Sequence, residues 1–364
     1  MLTGLFVTGT AGAPVIYAAS SDPRQAAGPS GTDANLDTNS GILHRLTKNG
    51  GGWNKQDLVR GLPRSEENHV ANGLLMYGNK ILLNTGGHTN MGAPSNNFAE
   101  LPEYALSSAI LEINVNAIGN GTYDLPTLDD EDRAGVNDNN DPFGGNDGKN
   151  QAKLTANGPV ELFATGFRNI FDITLTESGK IYVFDNGPNP GWGGTPKANC
   201  SNGLNEGGAH HWDTLHLVTK NFYAGHPNPT RGSKNNKFNN SNPQSPIEVA
   251  ARPEECNYKH NQAGNDGGLT TIQASSNGLD EYTASNFLGS MKGDLLVASF
   301  NKSIYRLELN GAGTAVTSKS QLVTGLGSVP LDLTVRGDNE SFPGTIWVAD
   351  NLANSITVLE PSDY

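Results

Sequence analysis

Short apolar segments recur in pairs along the chain, and each pair is divided by a turn or a loop rich in polar residues. The second members read VIYAA, KILLN, KIYVF, DLLVA and TIWVA. Runs of this length, rich in β-branched and aromatic residues and bounded by Gly, Asn and Ser, predict strands rather than helices. The predicted pairs are 2–7 with 15–19, 73–77 with 81–84, 171–175 with 180–184, 269–274 with 294–299, and 331–335 with 345–349.

Further strands follow several of these pairs, in the segments GILHRLT, SAILEINV, SIYRLEL and SITVLE. Units of three or four strands repeated in this way bury their faces only against neighbouring units, so they predict a closed β-propeller. We expect an all-β propeller with five recognisable four-stranded blades, either five-bladed or six-bladed with one blade atypical or absent. Residues 1–364 would form one propeller domain, which could be a module of a larger secreted protein. Helix should be minor, with a short turn around 103–108.

Long insertions separate the strands at 86–103, 120–157, 187–223 and 226–268, and they are dominated by Asn, Gly, Asp and Pro. Loops of this length in a compact fold are usually functional or organised by a metal. The acidic run 128–151 offers Asp138, Asp141 and Asp147, whose hard oxygen donors in a glycine-rich loop suit calcium. The spacing is not that of an EF-hand, and the alternative is a solvated acidic loop that binds no ion.

The composition and charge of the chain restrict the kinds of molecule that it can bind. The chain has 45 glycines and only 17% charged residues, which favours strands and loops, and its formal net charge is −13. That charge disfavours nucleic acid and anionic lipid, and no apolar run is long enough to span a membrane. Cys200 and Cys256 lie in loops without a CxxC pattern, so we expect one disulfide, with two loop thiols as the alternative.

Three segments resemble the soluble quinoprotein branch of the glucose/sorbosone dehydrogenase family. They are GLPRSEENHVANGLLMYGNKILLNTGG, GFRNIFDITLTESGKIYVFDNGPN and GDLLVASFNKSIYRLEL. The resemblance implies a propeller that oxidises a sugar hydroxyl with the cofactor pyrroloquinoline quinone and a calcium ion. It also implies an extracellular or periplasmic location and a sugar or polysaccharide-derived small molecule as substrate.

The same resemblance assigns roles to particular residues. His69 is implied as the catalytic base, and Arg168, with Asn169 beside it, as the group that stabilises developing negative charge at the quinone. The segment Asn186, Gly187 and Pro188 is implied to hold calcium, largely through backbone carbonyls. The alternative for His69 is an inner-strand histidine bonded to a carbonyl, and for Arg168 a charge that locks adjacent blades through loop carbonyls.

One departure from the family bears on the cofactor, which carries three carboxylates. The family holds them partly with two arginines at the start of the last inner strand, where this sequence has Val329 and Leu331. Lys302 matches a cofactor-binding lysine of the family only after a one-residue adjustment, because direct alignment places Asn301 there. Burying an anion without compensating cations is costly, so tight quinone binding is not expected.

Two other functions therefore stay open. The first is a non-catalytic propeller module that binds carbohydrate or protein and has lost the quinone site. The second is a calcium-dependent lactonase or esterase, in which Asp172, Asp185 and Asp332 would supply carboxylate ligands.

Overall fold

The computed structural model describes residues 1–25, 27–34, 36–127, 151–236, 247, 249–260, 268–273 and 275–363. The described residues form twenty strands and very little helix. They fall into two compact units. The first unit comprises Met1–Asn169, Pro188–His210 and Lys220–His260, and the second comprises Ile170–Gly187, His211–Thr219 and Asn261–Tyr364.

The first unit contains two sheets. One sheet has the order β1-β2-β3-β4-β8, with β8 parallel to β4, and the other has the antiparallel order β5-β6-β7-β9. Their strands are β1 (Leu2–Thr10), β2 (Ala13–Ser20), β3 (Gly41–Asn49), β4 (Gly52–Leu62), β5 (Ala71–Tyr77), β6 (Lys80–Thr85), β7 (Ala109–Ile113), β8 (Tyr123–Asp124) and β9 (Val160–Thr165).

The inner strands of these two sheets lie side by side. The Thr3 hydroxyl donates to the Ala71 carbonyl at 2.6 Å. A β-carbon on Gly4 would lie 2.0 Å from the Asn72 carbonyl oxygen, so only glycine allows the strands to approach this closely. Leu43, Leu58, Leu83 and Leu111 are fully buried in the core that the two sheets share.

The second unit contains three antiparallel sheets, with the orders β10-β11-β12-β13, β14-β15-β16-β17 and β18-β19-β20. Their strands are β10 (Ile170–Leu175), β11 (Ile181–Asp185), β12 (Asp213–Val218), β13 (Gly268–Ile272), β14 (Ser276–Glu281), β15 (Leu295–Ser299), β16 (Ser303–Leu309), β17 (Val316–Val323), β18 (Pro330–Val335), β19 (Ile346–Asp350) and β20 (Ser355–Leu359).

An aspartate near the same place in two successive inner strands joins each strand to the next sheet. Asp172 on β10 accepts a hydrogen bond from the Leu279 amide of β14 at 2.9 Å. Asp280 on β14 accepts one from the Val335 amide of β18, also at 2.9 Å. These carboxylates satisfy backbone donors at strand edges, which is a structural use of the inner-strand acids.

The all-β propeller prediction, with five blade-like sheets, is confirmed, although the sheets hold three to five strands each. The pairing of 269–274 with 294–299 is wrong. The segment β13 is the outermost strand of the sheet that begins with β10, and β15 pairs instead with β14. The polar sequence of β14, SNGLDE, has the composition of a turn and hides its role as an inner strand.

Helical segments are short, as expected. The described α-helices are α1 (Val115–Ile118) and α2 (Pro229–Gly232), and the described 3-10 helices are Gly28–Ser30, Asn96–Phe98, Pro253–Cys256 and Phe287–Gly289. A turn does form within 103–108, where the Ser107 amide donates to the Tyr104 carbonyl. Within the described ranges, no helix has the length and apolar character needed to cross a bilayer.

The predicted disulfide is also confirmed. Cys200 and Cys256 are bonded, with their α-carbons 5.0 Å apart. Both belong to the first unit, where Cys200 lies in a loop and Cys256 is the last residue of a 3-10 helix. The bond closes a loop across a sequence separation of 56 residues, so it restricts the unfolded chain considerably.

Candidate functional site

His69 lies just before β5, in a loop that hydrogen bonds hold in place. Ser65 and His69 bond to each other twice, because the Ser65 amide donates to the His69 carbonyl and the His69 amide donates to the Ser65 hydroxyl. Arg64, which is fully buried, supports this loop by donating to backbone carbonyls, among them those of Asp22 and Glu67. The backbone of His69 is therefore fixed before its ring makes any contact.

The imidazole of His69 is held in one tautomer. Its Nδ1 lies 2.7 Å from the Gly87 carbonyl oxygen, and because a carbonyl can only accept, Nδ1 carries the proton. In the neutral ring Nε2 is then the basic nitrogen, and it receives no hydrogen bond from the described residues. Burial, reinforced by the positive charge of Arg168, holds the pKa of His69 well below its usual value. The ring is therefore neutral at neutral pH.

Arg168 and Asn169 reach the same place from the end of β9. The Gly87 amide donates to the Arg168 carbonyl at 2.7 Å, and Asn72 Nδ2 donates to Asn169 Oδ1 at 3.1 Å. A β-carbon on Gly86 would lie 2.6 Å from the His69 β-carbon and 2.8 Å from Asn169 Oδ1. Glycine at position 86 is thus what allows these groups to converge.

Asn90 connects Arg168 to the loop that follows Pro188. Its Oδ1 accepts from Arg168 Nε at 3.1 Å and from the Asn189 amide at 2.9 Å. Its Nδ2 donates to the carbonyls of Asn189 and Gly193 at 2.9 and 3.0 Å. One buried amide therefore fixes both the guanidinium and the loop. Sequence reasoning gave no sign of it.

Aromatic rings flank the histidine. Phe98 lies with its ring centre 5.4 Å from that of His69, and Trp192 packs edge-on against Phe98 at 6.3 Å. Phe98 is buried and Trp192 is half-buried. Trp192 thus leaves part of an aromatic surface accessible, and such surfaces suit the apolar face of a sugar ring.

Behind His69 lies a fully buried carboxylate, Glu103. It accepts hydrogen bonds from His226 Nε2 at 2.8 Å, Thr89 Oγ1 at 2.6 Å, Ser107 Oγ at 2.5 Å and the His88 amide at 2.9 Å. Burial alone would raise its pKa, but His226 and Ser107, with the nearby His88, outweigh burial and lower the pKa. Glu103 is therefore an ionised group in the interior. Its partner His226 is 123 residues away, so local sequence gave no signal for the pair.

The predicted calcium segment lies at the end of β11. Asn186 Nδ2 donates to Asp213 Oδ2, and the Gly187 amide donates to Asp213 Oδ1 at 2.9 Å. Burial raises the pKa of Asp213 to about 7, against the hydrogen bonds that lower it. Among the described residues, nothing donates to the carbonyls of Gly187 or Pro188. Backbone carbonyls of this kind are hard oxygen donors, the ligand type that calcium uses.

The structure brings His69, Arg168 and Asn169 together in the first unit, with the loop after Pro188. Lys302 belongs to the second unit, on an exposed turn with φ of 67°. Val329 and Leu331 lie half-buried at the start of β18 in the same unit. The remaining predicted calcium ligands, Asp138, Asp141 and Asp147, fall outside the described residues.

Comparison with known proteins extends the fold assignment. No protein-family model and no curated protein sequence matches the chain. A solved structure described as an oxidoreductase (glucose dehydrogenase) from Thermus thermophilus matches with a TM-score of 0.50 and 15% identity, covering 94% of this chain and 78% of that one. A second, described as a glucose dehydrogenase, matches with a TM-score of 0.51 and 14% identity, covering 96% and 79%. At these identities the likeness shows a shared fold.

Proposed function

We propose that the chain is an oxidoreductase that oxidises a hydroxyl group of a sugar, with Nε2 of His69 as the general base. One observation carries the proposal, namely the bond from His69 Nδ1 to the Gly87 carbonyl, which leaves Nε2 as the basic nitrogen of a neutral ring. Proton removal by a positioned base contributes about 10² to 10⁴ in rate. The sequence segments around His69 and Arg168, and the fold shared with two glucose dehydrogenases, support the same assignment.

The other residues of the site have distinct parts in this proposal. Arg168 supplies a buried positive charge beside His69, which disfavours the imidazolium and favours developing negative charge nearby. Trp192 offers a surface for the sugar ring. Asn90 keeps Arg168 and the 189–193 loop in register, so substrate and charge meet in a fixed arrangement.

A pyrroloquinoline quinone would supply the two-electron acceptor of the reaction. Arg168 and Asn169 fit the polar carbonyl end of such a cofactor. Val329 and Leu331 do not fit its carboxylates, and Lys302 is an exposed cation on a turn. We therefore expect the quinone to bind more weakly than to proteins with arginines at those positions. Calcium would be held by the carbonyls of Gly187 and Pro188.

An extracellular or periplasmic location is part of the proposal. The Cys200–Cys256 disulfide supports it, since such bonds persist in oxidising compartments. The net charge of −13 supports a neutral small-molecule substrate rather than a polyanion.

The test is dye-linked oxidation of a panel of aldoses and oligosaccharides, with added pyrroloquinoline quinone and calcium. We expect the wild-type protein to oxidise at least one sugar, and His69→Ala to lose a factor of about 10² or more. The proposal would be refuted if no sugar of the panel gave dye reduction at quinone concentrations high enough to saturate a weak site.

A second candidate, a non-catalytic carbohydrate-binding module, is favoured by Val329 and Leu331 alone. It predicts that the same sugars bind, by calorimetry, without any dye reduction at all quinone concentrations. The lactonase alternative is less well supported, because both oxygens of Asp172 accept backbone hydrogen bonds, from Ile173 and Leu279.

A further inference from the structure

A single peptide group separates the buried carboxylate of Glu103 from the ring of His69. The carbonyl of Gly87 and the amide N–H of His88 belong to the same peptide unit. The carbonyl accepts from His69 Nδ1 at 2.7 Å, and the N–H donates to Glu103 Oε2 at 2.9 Å. In a trans peptide these two groups point in opposite directions, so carboxylate, amide and imidazole form one chain of hydrogen bonds.

We propose that Glu103 is a positioning residue for His69 that acts through the Gly87–His88 peptide, holding Nδ1 protonated and strengthening Nε2 as a base. A negative charge at the N–H end of an amide shifts electron density toward its carbonyl oxygen. Successive hydrogen bonds polarise one another in this way, most of all away from water. The oxygen that His69 meets is thus a stronger acceptor than an ordinary carbonyl.

The packing around the peptide shows that the arrangement is built for this contact. A β-carbon on Gly87 would lie 2.8 Å from Glu103 Oε1 and 2.7 Å from Ser108 Oγ, so any other residue there would push the carboxylate away. Glu103 is fully buried, and no water layer screens it from the peptide. His226 and Thr89 hold its other oxygen, which orients Oε2 toward the His88 amide.

The inference concerns the base of the proposed reaction, but its test needs neither substrate nor cofactor. The protein is labelled with ¹⁵N-histidine, and the Nδ1–H proton of His69 is assigned by its loss in His69→Gln. Its chemical shift reports the strength of the bond to the Gly87 carbonyl. Glu103→Gln keeps the size of the side chain and an acceptor for the His88 amide, but removes the charge.

We expect the Nδ1–H resonance to move upfield in Glu103→Gln. The matched control is Glu112→Gln. Glu112 lies on β7 and is also buried and ionised, but it pairs with Lys80 and Lys220. This substitution should leave the resonance in place. An unchanged resonance in a folded Glu103→Gln would overturn the proposal.

If Glu103→Gln does not fold, Ser107→Ala decides the matter. Ser107 Oγ competes with the His88 amide for Oε2, so removing it should strengthen the remaining bond and move the His69 resonance downfield. No downfield movement would overturn the proposal.

Activity provides a separate reading. The charge of Glu103 raises the pKa of His69 against the effect of burial, so its loss should weaken the base. We therefore expect kcat in Glu103→Gln to fall by up to about tenfold with KM unchanged. If neither the wild type nor Glu103→Gln oxidises any sugar while the resonance moves as expected, the dehydrogenase proposal fails and the positioning role of Glu103 stands.

Discussion

Replacing His88 with phenylalanine should reduce the loss of stability that the protein undergoes in mild acid. His88 is 1% exposed, its ring packs 4.2 Å from that of Tyr104, and neither ring nitrogen has a hydrogen-bond partner among the described residues. Burial lowers its pKa to about 4, and Arg64 adds to this while Glu103 opposes it. Phenylalanine keeps the ring and the backbone amide that donates to Glu103.

The size of the effect follows from proton linkage. The folded state keeps His88 neutral down to about pH 4, whereas the unfolded chain takes up a proton below its ordinary pKa of about 6.5. The unfolded state therefore binds more protons between these values, and stability falls as the pH drops through that window. At pH 5 proton binding to this histidine favours the unfolded state over the folded state by a factor of about 30. This factor corresponds to a loss of about 2 kcal/mol in the free energy of unfolding.

Urea unfolding at pH 7 and pH 5 measures this directly. We expect His88→Phe to be more stable than the wild type at both pH values, with an advantage larger by about 2 kcal/mol at pH 5. Tyr104→Phe is the control, because it removes a neutral hydroxyl, which bonds Thr38, and keeps the ring that packs against His88. It should change stability equally at both pH values. The reasoning would be refuted if the free energy of unfolding fell by the same amount from pH 7 to pH 5 in the wild type and in His88→Phe.

Three further changes test other parts of the structure. Arg231→Met removes a fully buried guanidinium that bonds Glu255 and the carbonyls of 105–108, and should cost about 3–5 kcal/mol in urea unfolding; a loss under about 1 kcal/mol would contradict this. Replacing both bonded cysteines with serine should cost up to about 4 kcal/mol, and no change in midpoint would contradict the loop-closure argument. Gly86→Ala should displace the His69 ring and lower sugar oxidation at least tenfold by misplacing the base, whereas the exposed Gly50→Ala should not; equal activities would contradict the packing argument.

The strand pairs of the fold were predictable because period-two apolar runs and Gly-containing turns are local signals. Four of the five predicted inner pairs match β1–β2, β5–β6, β10–β11 and β18–β19. The failure at β14 has a physical reason. Ser276 and Asn277 are buried polar residues, and the Ser276 amide donates to Asp213 at the start of β12, 63 residues away. A polar sequence at a strand start resembles a turn when that distant partner is not known.

Only those site residues that belong to a recognisable sequence motif could be predicted. His69, Arg168 and Asn169 followed from a resemblance, and the structure places them together. Glu103 and Asn90 had no local signal, because only the fold brings His226 against Glu103 and Arg168 against Asn90, across 123 and 78 residues. The glycines at 86 and 87 were visible in the sequence, but their meaning depends on what a β-carbon would meet.

The most direct test of the account is the tautomeric state of His69, read at pH 7 from the ¹⁵N shifts of its two ring nitrogens. We expect a neutral ring with a proton on Nδ1 and none on Nε2. A proton on Nε2, or a doubly protonated ring, would contradict it, because His69 could then not accept a proton from a substrate hydroxyl.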